Sequence, residues 1–177
     1  MTVWTIGHST RPVEEFLTLL AEHQIKCIAD VRRFPGSRRH PQFGRTALAE
    51  SLAQVDMAYE HFPELGGRRR PAPGSPNSAW RNDAFRGYAD YMATEAFRTV
   101  LSRLIDLANT RRTAIMCAEA LWWRCHRGLI ADALKAAGHS VVHIVSPGKV
   151  EQHPYTSAAH LEGGQLSYAL DRGPFGS

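Results

Sequence analysis

The stretch "MCAEALWWRCHRGLI", Met116–Ile130, decides the fold. It opens as the end of an apolar run, Thr113–Cys117, which reads as a strand buried on both faces. It closes in an amphipathic pattern that predicts a helix over Arg124–Ala137, stopped by Gly138. Strand, short connection and helix make up one βα unit, and such units in series build a parallel sheet.

Reading outward, four more short apolar runs predict strands: Val3–Gly7, Lys26–Val31, Ala58–Phe62 and Ser140–Val145. The run "AYEHFP" alternates where the others are nearly continuous, so it is expected at a sheet edge. Helical spacing of apolar residues covers Pro12–Gln24, with Thr10 as its expected cap, and Arg45–Asp56. It also covers Ala84–Asn109, where the stripe shifts phase near Ala93–Thr94 and Thr94 can cap a second helix. The expectation is a single three-layer α/β domain over 1–150, with a mainly parallel sheet and helices on both faces. The Pro-, Gly- and Ser-rich loop 68–80 is expected to roof a cleft, and 151–177 to form a C-terminal extension that wraps the domain or frays.

Composition bounds the function classes. The chain has 177 residues, 44% apolar and 21% charged, which suits a globular domain rather than a disordered one. The formal charge is +4, carried by arginine clusters such as Arg32-Arg33, Arg68–Arg70 and Arg124 with Arg127. The arginine fork matches phosphate and carboxylate geometry. Three cysteines, an odd number, argue against a disulfide framework and for a reducing compartment. The N-terminus lacks a basic region leading into an apolar one, and no apolar run approaches ~20 residues. A cytoplasmic protein with no membrane partner is expected. No motif calls for a cofactor.

In an open α/β sheet, ligands bind at the C-terminal ends of the strands. Polar residues recur at that position: His8, Ser9 and Thr10 after the first strand, then Asp30, Arg32 and Ser37 after the second. Glu64 and Gly66-Gly67 follow the third, and Cys117, Glu119, Arg124, Cys125, His126 and Arg127 follow the fourth. The fifth carries His143. Asp30 and Arg32 share a face in extended chain and predict an ion pair, structural or ligand-orienting.

The segment Cys117–Arg127 admits four readings. A thiolate anion loop would place Cys117 beneath backbone amides with Arg124 returning to the oxyanion, but six residues separate them and no glycine lies between. Zinc would draw on Cys117, Cys125 and His126 with His8 or Glu119, but Cys125 and His126 are adjacent and would diverge on a helix. An acid/base and anion site would use Glu119, His126 and Arg127, with Trp122 or Trp123 stacking on a ring. A structural reading makes both cysteines packing residues and pairs Arg127 with Asp30 or Glu119.

Six motifs in series resemble the domain of unknown function 488 family. They are "TIGHS" (Thr5–Ser9), "DVRRFPGS" (Asp30–Ser37), "LGG" (Leu65–Gly67), "YADYM" (Tyr88–Met92), "MCAE" (Met116–Glu119) and "CHR" (Cys125–Arg127). The resemblance runs from Val3 to about Val145. It implies a small α/β protein without a settled activity. Its shared polar set would be His8, Asp30, Arg32, Glu119, Cys125, His126 and Arg127. The "EALWW" segment departs from the family's usual charged residues and proline.

The combined expectation is a cleft for a phosphate-bearing ligand, a nucleotide or nucleic-acid component, with hydrolase or transferase chemistry. Glu119, His126 and Cys125 are the catalytic candidates. His8, Ser9, Asp30, Arg32, Arg124 and Arg127 are the ligand-binding candidates, and no metal site is assigned. The alternatives are a non-catalytic nucleic-acid-binding module, and a thiol-based or zinc enzyme using Cys117 and Cys125.

Overall fold

Met116–Ile130 folds as a strand end, a connection and a helix. Strand β4 (Thr113–Cys117) is buried along its whole length. A single 3-10 turn at Trp122–Arg124 follows, and helix α5 runs Arg127–Ala136. The helix therefore begins three residues later than its apolar stripe suggests. Cys125 is extended at φ −138° and ψ 154°, and His126 occupies the N-cap position. The computed structural model describes residues 1–36 and 38–170; Ser37, the last residue of "DVRRFPGS", and positions 171–177 of the expected extension lie outside them.

The other strands are β1 (Thr2–Gly7), β2 (Cys27–Asp30), β3 (Ala58–His61), β5 (Ser140–Ser146) and β6 (Lys149–Gln152). The sheet order is β3-β2-β4-β1-β5-β6. The first five strands are mutually parallel, and β6 returns antiparallel on β5. The alternating strand β3 is an edge, as its pattern predicts. A separate hairpin joins β7 (His160–Glu162) to β8 (Gln165–Ser167).

Helices cover both faces. On one, Phe16, Leu19 and Leu20 of α1 (Val13–Glu22) and Leu48 and Leu52 of α2 (Arg45–Ala53) pack against Ile6, Ile28, Ala114 and Met116. On the other, α3 (Asp83–Met92), α4 (Glu95–Thr110) and α5 bring Tyr88, Phe97, Leu104, Ile130 and Leu134 against Val3, Ala29, Ile115 and Val141. Burying each large apolar side chain contributes roughly 1.5–3 kcal/mol. Thr94 caps α4 by accepting the Phe97 N–H, as its position in the sequence predicts. Thr10 does not cap α1, whose N-cap is Pro12. Among the described residues no helix is long and apolar enough to cross a membrane.

This topology opens a crevice beside β4. The chain leaves β1 for β2 on one side, and leaves its neighbour β4 for β5 on the other. The two connections diverge onto opposite faces of the sheet, and the space between them is where such folds bind ligands.

Candidate functional site

The crevice is a cavity of about 830 Å³. It is lined by the ends of β1 (His8, Ser9, Thr10), β2 (Arg32, Arg33, Phe34), β3 (Gly67, Arg68) and β4 (Cys117, Glu119), and by Arg124, Cys125 and His126 ahead of α5. Another cavity of about 780 Å³ lies between Trp80, Phe85 and the β7 region, with Arg81 and His160 as its titratable lining.

Two glycines permit the close approaches that build the site. A Cβ on Gly7 would lie 1.9 Å from the Glu119 carbonyl oxygen, so only glycine lets the Cys117–Ala120 connection cross the end of β1. Sheet pairing continues past that point. His8 N–H donates to the Cys117 carbonyl at 2.9 Å, and Ser9 N–H donates to that of Ala118 at 3.0 Å. Ser9 then turns the chain away at φ 50°, the left-handed region that a non-glycine residue enters at a cost of order 1–3 kcal/mol. A Cβ on Gly67 would lie 2.9 Å from His126 Nδ1, so the "LGG" motif leaves the space that the imidazole fills.

His8 is buried and neutral. Its Nδ1–H donates to the Ser9 carbonyl at 2.9 Å, which leaves Nε2 as an acceptor for Arg32 Nη1 at 3.3 Å. Burial, aided by the Arg32 charge, lowers its pKa to about 4. The ring stacks on Phe43 at 4.4 Å. Arg32 is held bidentately by Asp30, at 2.9 and 2.8 Å, and Tyr59 donates its hydroxyl to the same carboxylate. Asp30 is fully buried and does not reach the cavity; it fixes Arg32, which does.

Cys125 and His126 form the chemical centre of the wall. His126 Nε2–H donates to the Val31 carbonyl at 3.0 Å, so Nδ1 is the acceptor nitrogen. Cys125 Sγ lies 3.3 Å from that Nδ1, and the Arg127 backbone N–H points at the sulfur from 3.5 Å. The expected divergence of these adjacent side chains does not occur, because Cys125 precedes the helix in extended conformation. The Cys125 pKa is lowered, first by a hydrogen bond from the Cys117 thiol and then by the Arg127 N–H and charge, which together outweigh burial. Cys117 is itself buried, and burial raises its thiol well above the usual range. Burial lowers the pKa of His126. A thiol, an imidazole lone pair and the carbonyl that orients the ring are thus aligned at one wall.

Arg127, expected among the ligand-binding residues, is buried instead. It is 1% exposed and lies outside the cavity lining, so it does not stand among the residues that face the cleft. Its Nη2 donates to the Glu119 and Ala120 carbonyls at 3.0 and 3.1 Å, and its Nη1 donates to Thr5 Oγ1 at 3.3 Å. It pairs with neither Asp30 nor the Glu119 carboxylate. Behind it runs a buried chain of donors. The Thr5 hydroxyl donates to His143 Nδ1, His143 Nε2–H to His153 Nδ1 at 2.8 Å, and His153 Nε2–H to Asp132 at 2.7 Å. Asp132 also accepts from the Thr156 backbone N–H and hydroxyl and from the Tyr168 hydroxyl, which fastens the segment after β6 to α5. The spacing Arg127, Ile130, Ala131, Leu134 places this arginine on the apolar stripe of α5, the one sequence signal of its burial.

Other expected positions also move. Trp122 is 7% exposed, stacks on His143 at 4.7 Å and donates to Glu151; Trp123 is exposed, and neither tryptophan lines the cavity. Of the loop 68–80 only Arg68 reaches the cavity. The rest is drawn to α3, where the Asp90 carboxylate accepts from Ala72 N–H, Ser75 and Asn77. Glu64 faces Arg103 at 3.2 Å, away from the cavity. Glu119 and Arg124 do line it, and the Glu119 carboxylate accepts the Leu121 N–H at 3.3 Å. Among the described residues no three His, Cys, Asp or Glu side chains are placed to hold a metal ion.

Charge in the lining is unbalanced. Arg32, Arg33, Arg68 and Arg124 face a single carboxylate, Glu119. Asp30 compensates Arg32, while among the described residues Arg33, Arg68 and Arg124 form no salt bridge. Positive charge in the lining thus exceeds negative charge beside the thiol–imidazole pair.

No match was found among curated proteins or among solved structures. A family model described as "Domain of unknown function DUF488" matches residues 12–134, which span α1 to α5 and include every cavity-lining residue from Arg32 to His126. On that match, the chain belongs to the DUF488 family.

Proposed function

We propose that the cleft binds a phosphate-bearing ligand, a nucleotide or nucleic-acid component, and acts on it by covalent group transfer or hydrolysis through Cys125. The observation that carries this reading is the 3.3 Å contact of Cys125 Sγ with an imidazole fixed on the Val31 carbonyl, on the wall of an arginine-lined cavity. Arg124, Arg33 and Arg68 neutralise the phosphate, and Arg32 is held rigid by Asp30 to contact it. His126 takes the Cys125 proton as the thiolate attacks the electrophilic centre, then returns a proton to the leaving group. Glu119 serves as a second acid/base group for the water or acceptor that releases the enzyme-bound group. The three free thiols suit a reducing, cytoplasmic setting.

Calorimetric titration with inorganic phosphate and with a nucleoside monophosphate tests the binding half. Micromolar-to-millimolar affinity that falls with salt, and falls about tenfold or more in Arg124→Ala, is expected. Affinity indifferent to Arg124 and to salt overturns it.

A non-catalytic nucleic-acid-binding reading draws on Phe34, 80% exposed at the cavity mouth with the Arg33 guanidinium 5.8 Å from its ring centroid. Such a pair offers a base a stacking platform. Tight binding of single-stranded oligonucleotides, unchanged in Cys125→Ser and with no turnover of any ester tested, would favour it.

A further inference from the structure

We propose that Cys125 and Cys117 form an oxidative modification site, at which a hydroperoxide converts the pair to an intramolecular disulfide that shuts the cleft's thiol chemistry off. This shares with the functional reading only the reactivity of the Cys125 thiol. It needs no phosphate ligand.

The geometry supplies each requirement. Both sulfurs line one cavity, and Cys125 packs against the core cluster that contains Cys117. The Cys117 thiol is near enough to Cys125 Sγ to favour its thiolate. The Cys117 thiol donates to the Glu119 carbonyl at 3.5 Å, so its side chain is oriented from the end of β4 toward the connection that carries Cys125. Cys125 is the partly exposed member, open to a small oxidant, and Cys117 is 2% exposed behind it. An accessible low-pKa thiol next to a resolving cysteine is the arrangement of reversible thiol oxidation. The third cysteine, Cys27, is fully buried and outside the cavity lining.

The chemistry balances in two steps. The Cys125 thiolate attacks one oxygen of the hydroperoxide; the O–O bond breaks, Cys125 becomes a sulfenic acid, and the departing alkoxide or hydroxide takes the proton that Cys125 had given to His126. The Cys117 sulfur then attacks the sulfenyl sulfur. The S–S bond forms, the S–O bond breaks, and the oxygen leaves as water with the Cys117 proton. Two thiols lose two electrons and the peroxide gains them. The product draws Cys125 Sγ toward Cys117 and away from His126 Nδ1.

The test is a stoichiometric hydrogen peroxide treatment of the full chain, followed by thiol counting under denaturing conditions and peptide mass analysis. The three free thiols should fall to one, Cys27, with a mass loss of about 2 Da that dithiothreitol reverses. Trypsin cuts after Arg124, so the Cys117 and Cys125 peptides should appear cross-linked. In Cys117→Ser, dimedone should trap a sulfenic acid on Cys125, which over-oxidises without the trap. Cys125 going to sulfinic acid in the wild-type chain, with Cys117 still a free thiol, overturns the inference while leaving the functional reading intact. A Cys125 that reacts with neither peroxide nor iodoacetamide overturns both.

Discussion

His126 Nε2 lies 3.0 Å from the carbonyl oxygen of Val31, and this one hydrogen bond fixes the tautomer of the imidazole. A carbonyl only accepts, so Nε2 carries the proton and Nδ1 turns its lone pair to Cys125. Val31, just past the end of β2, thereby orients an imidazole that belongs to the connection after β4.

The Cys125 thiol should ionise below an ordinary cysteine. Its reaction with iodoacetamide should persist to lower pH than that of a free cysteine, because the Cys117 thiol and the Arg127 N–H donate to the thiolate. Cys117→Ala removes the largest of these effects and should move the pH midpoint of alkylation upward. An unmoved midpoint would mean that Cys117 does not tune the Cys125 thiol. His126→Ala should slow alkylation at neutral pH about tenfold or more.

Gly67→Ala places a methyl group 2.9 Å from His126 Nδ1 and must displace the ring. Circular dichroism should remain native and stability should fall by about 1–3 kcal/mol, while Cys125 reactivity drops toward that of His126→Ala. Gly7→Ala meets backbone rather than a side chain, at 1.9 Å, and should cost more stability than Gly67→Ala in urea unfolding.

Arg127→Ala leaves the Glu119 and Ala120 carbonyls without their donor and opens a hole in a buried region. The expected loss is about 2–4 kcal/mol in urea unfolding. At concentrations where the variant is folded, the salt dependence of phosphate binding should match wild type. Arg124→Ala should do the opposite, with near-native stability and a shallower salt slope.

Two buried histidines set an acid limit. Burial lowers the pKa of His8 to about 4, and burial with the nearby His153 and Arg127 charges lowers that of His143 further. The unfolded chain binds these protons from about pH 6.5 downward and the folded chain does not, so stability falls as pH drops from about 6.5 toward 4. His8→Gln should flatten the pH–stability curve in that window, with a change of a few kcal/mol between its ends. An unchanged slope would mean that His8 is protonated in the folded protein.

Much of the fold is legible in the chain, for identifiable reasons. Strands β1, β2, β4 and β5 are nearly continuous apolar runs of strand length, and nothing competes with that signal. The alternation of Ala58–His61 marks an edge, and Thr94 marks a helix start. Strand β6, "KVEQ", has no apolar run; its pairing follows from β5 lying beside it and not from its own residues. The strand-end rule brings His8, Arg32, Glu119, Arg124, Cys125 and His126 to one cavity. It does not distinguish Arg127, because a buried arginine that donates to carbonyls carries the same letter as one that faces a cleft. The Cys125–His126 contact escapes periodicity because it depends on where α5 begins, a boundary set by the 3-10 turn at Trp122–Arg124.

A phosphate-bearing ligand in the proposed cleft would lie against Cys125. The most direct measurement is the rate of Cys125 alkylation by iodoacetamide at neutral pH, followed by mass spectrometry, with and without saturating nucleoside monophosphate. The ligand should slow Cys125 modification about tenfold or more, and Arg124→Ala should shift the protecting concentration upward. Bound nucleotide, proven by calorimetry, that leaves the Cys125 rate unchanged would contradict it.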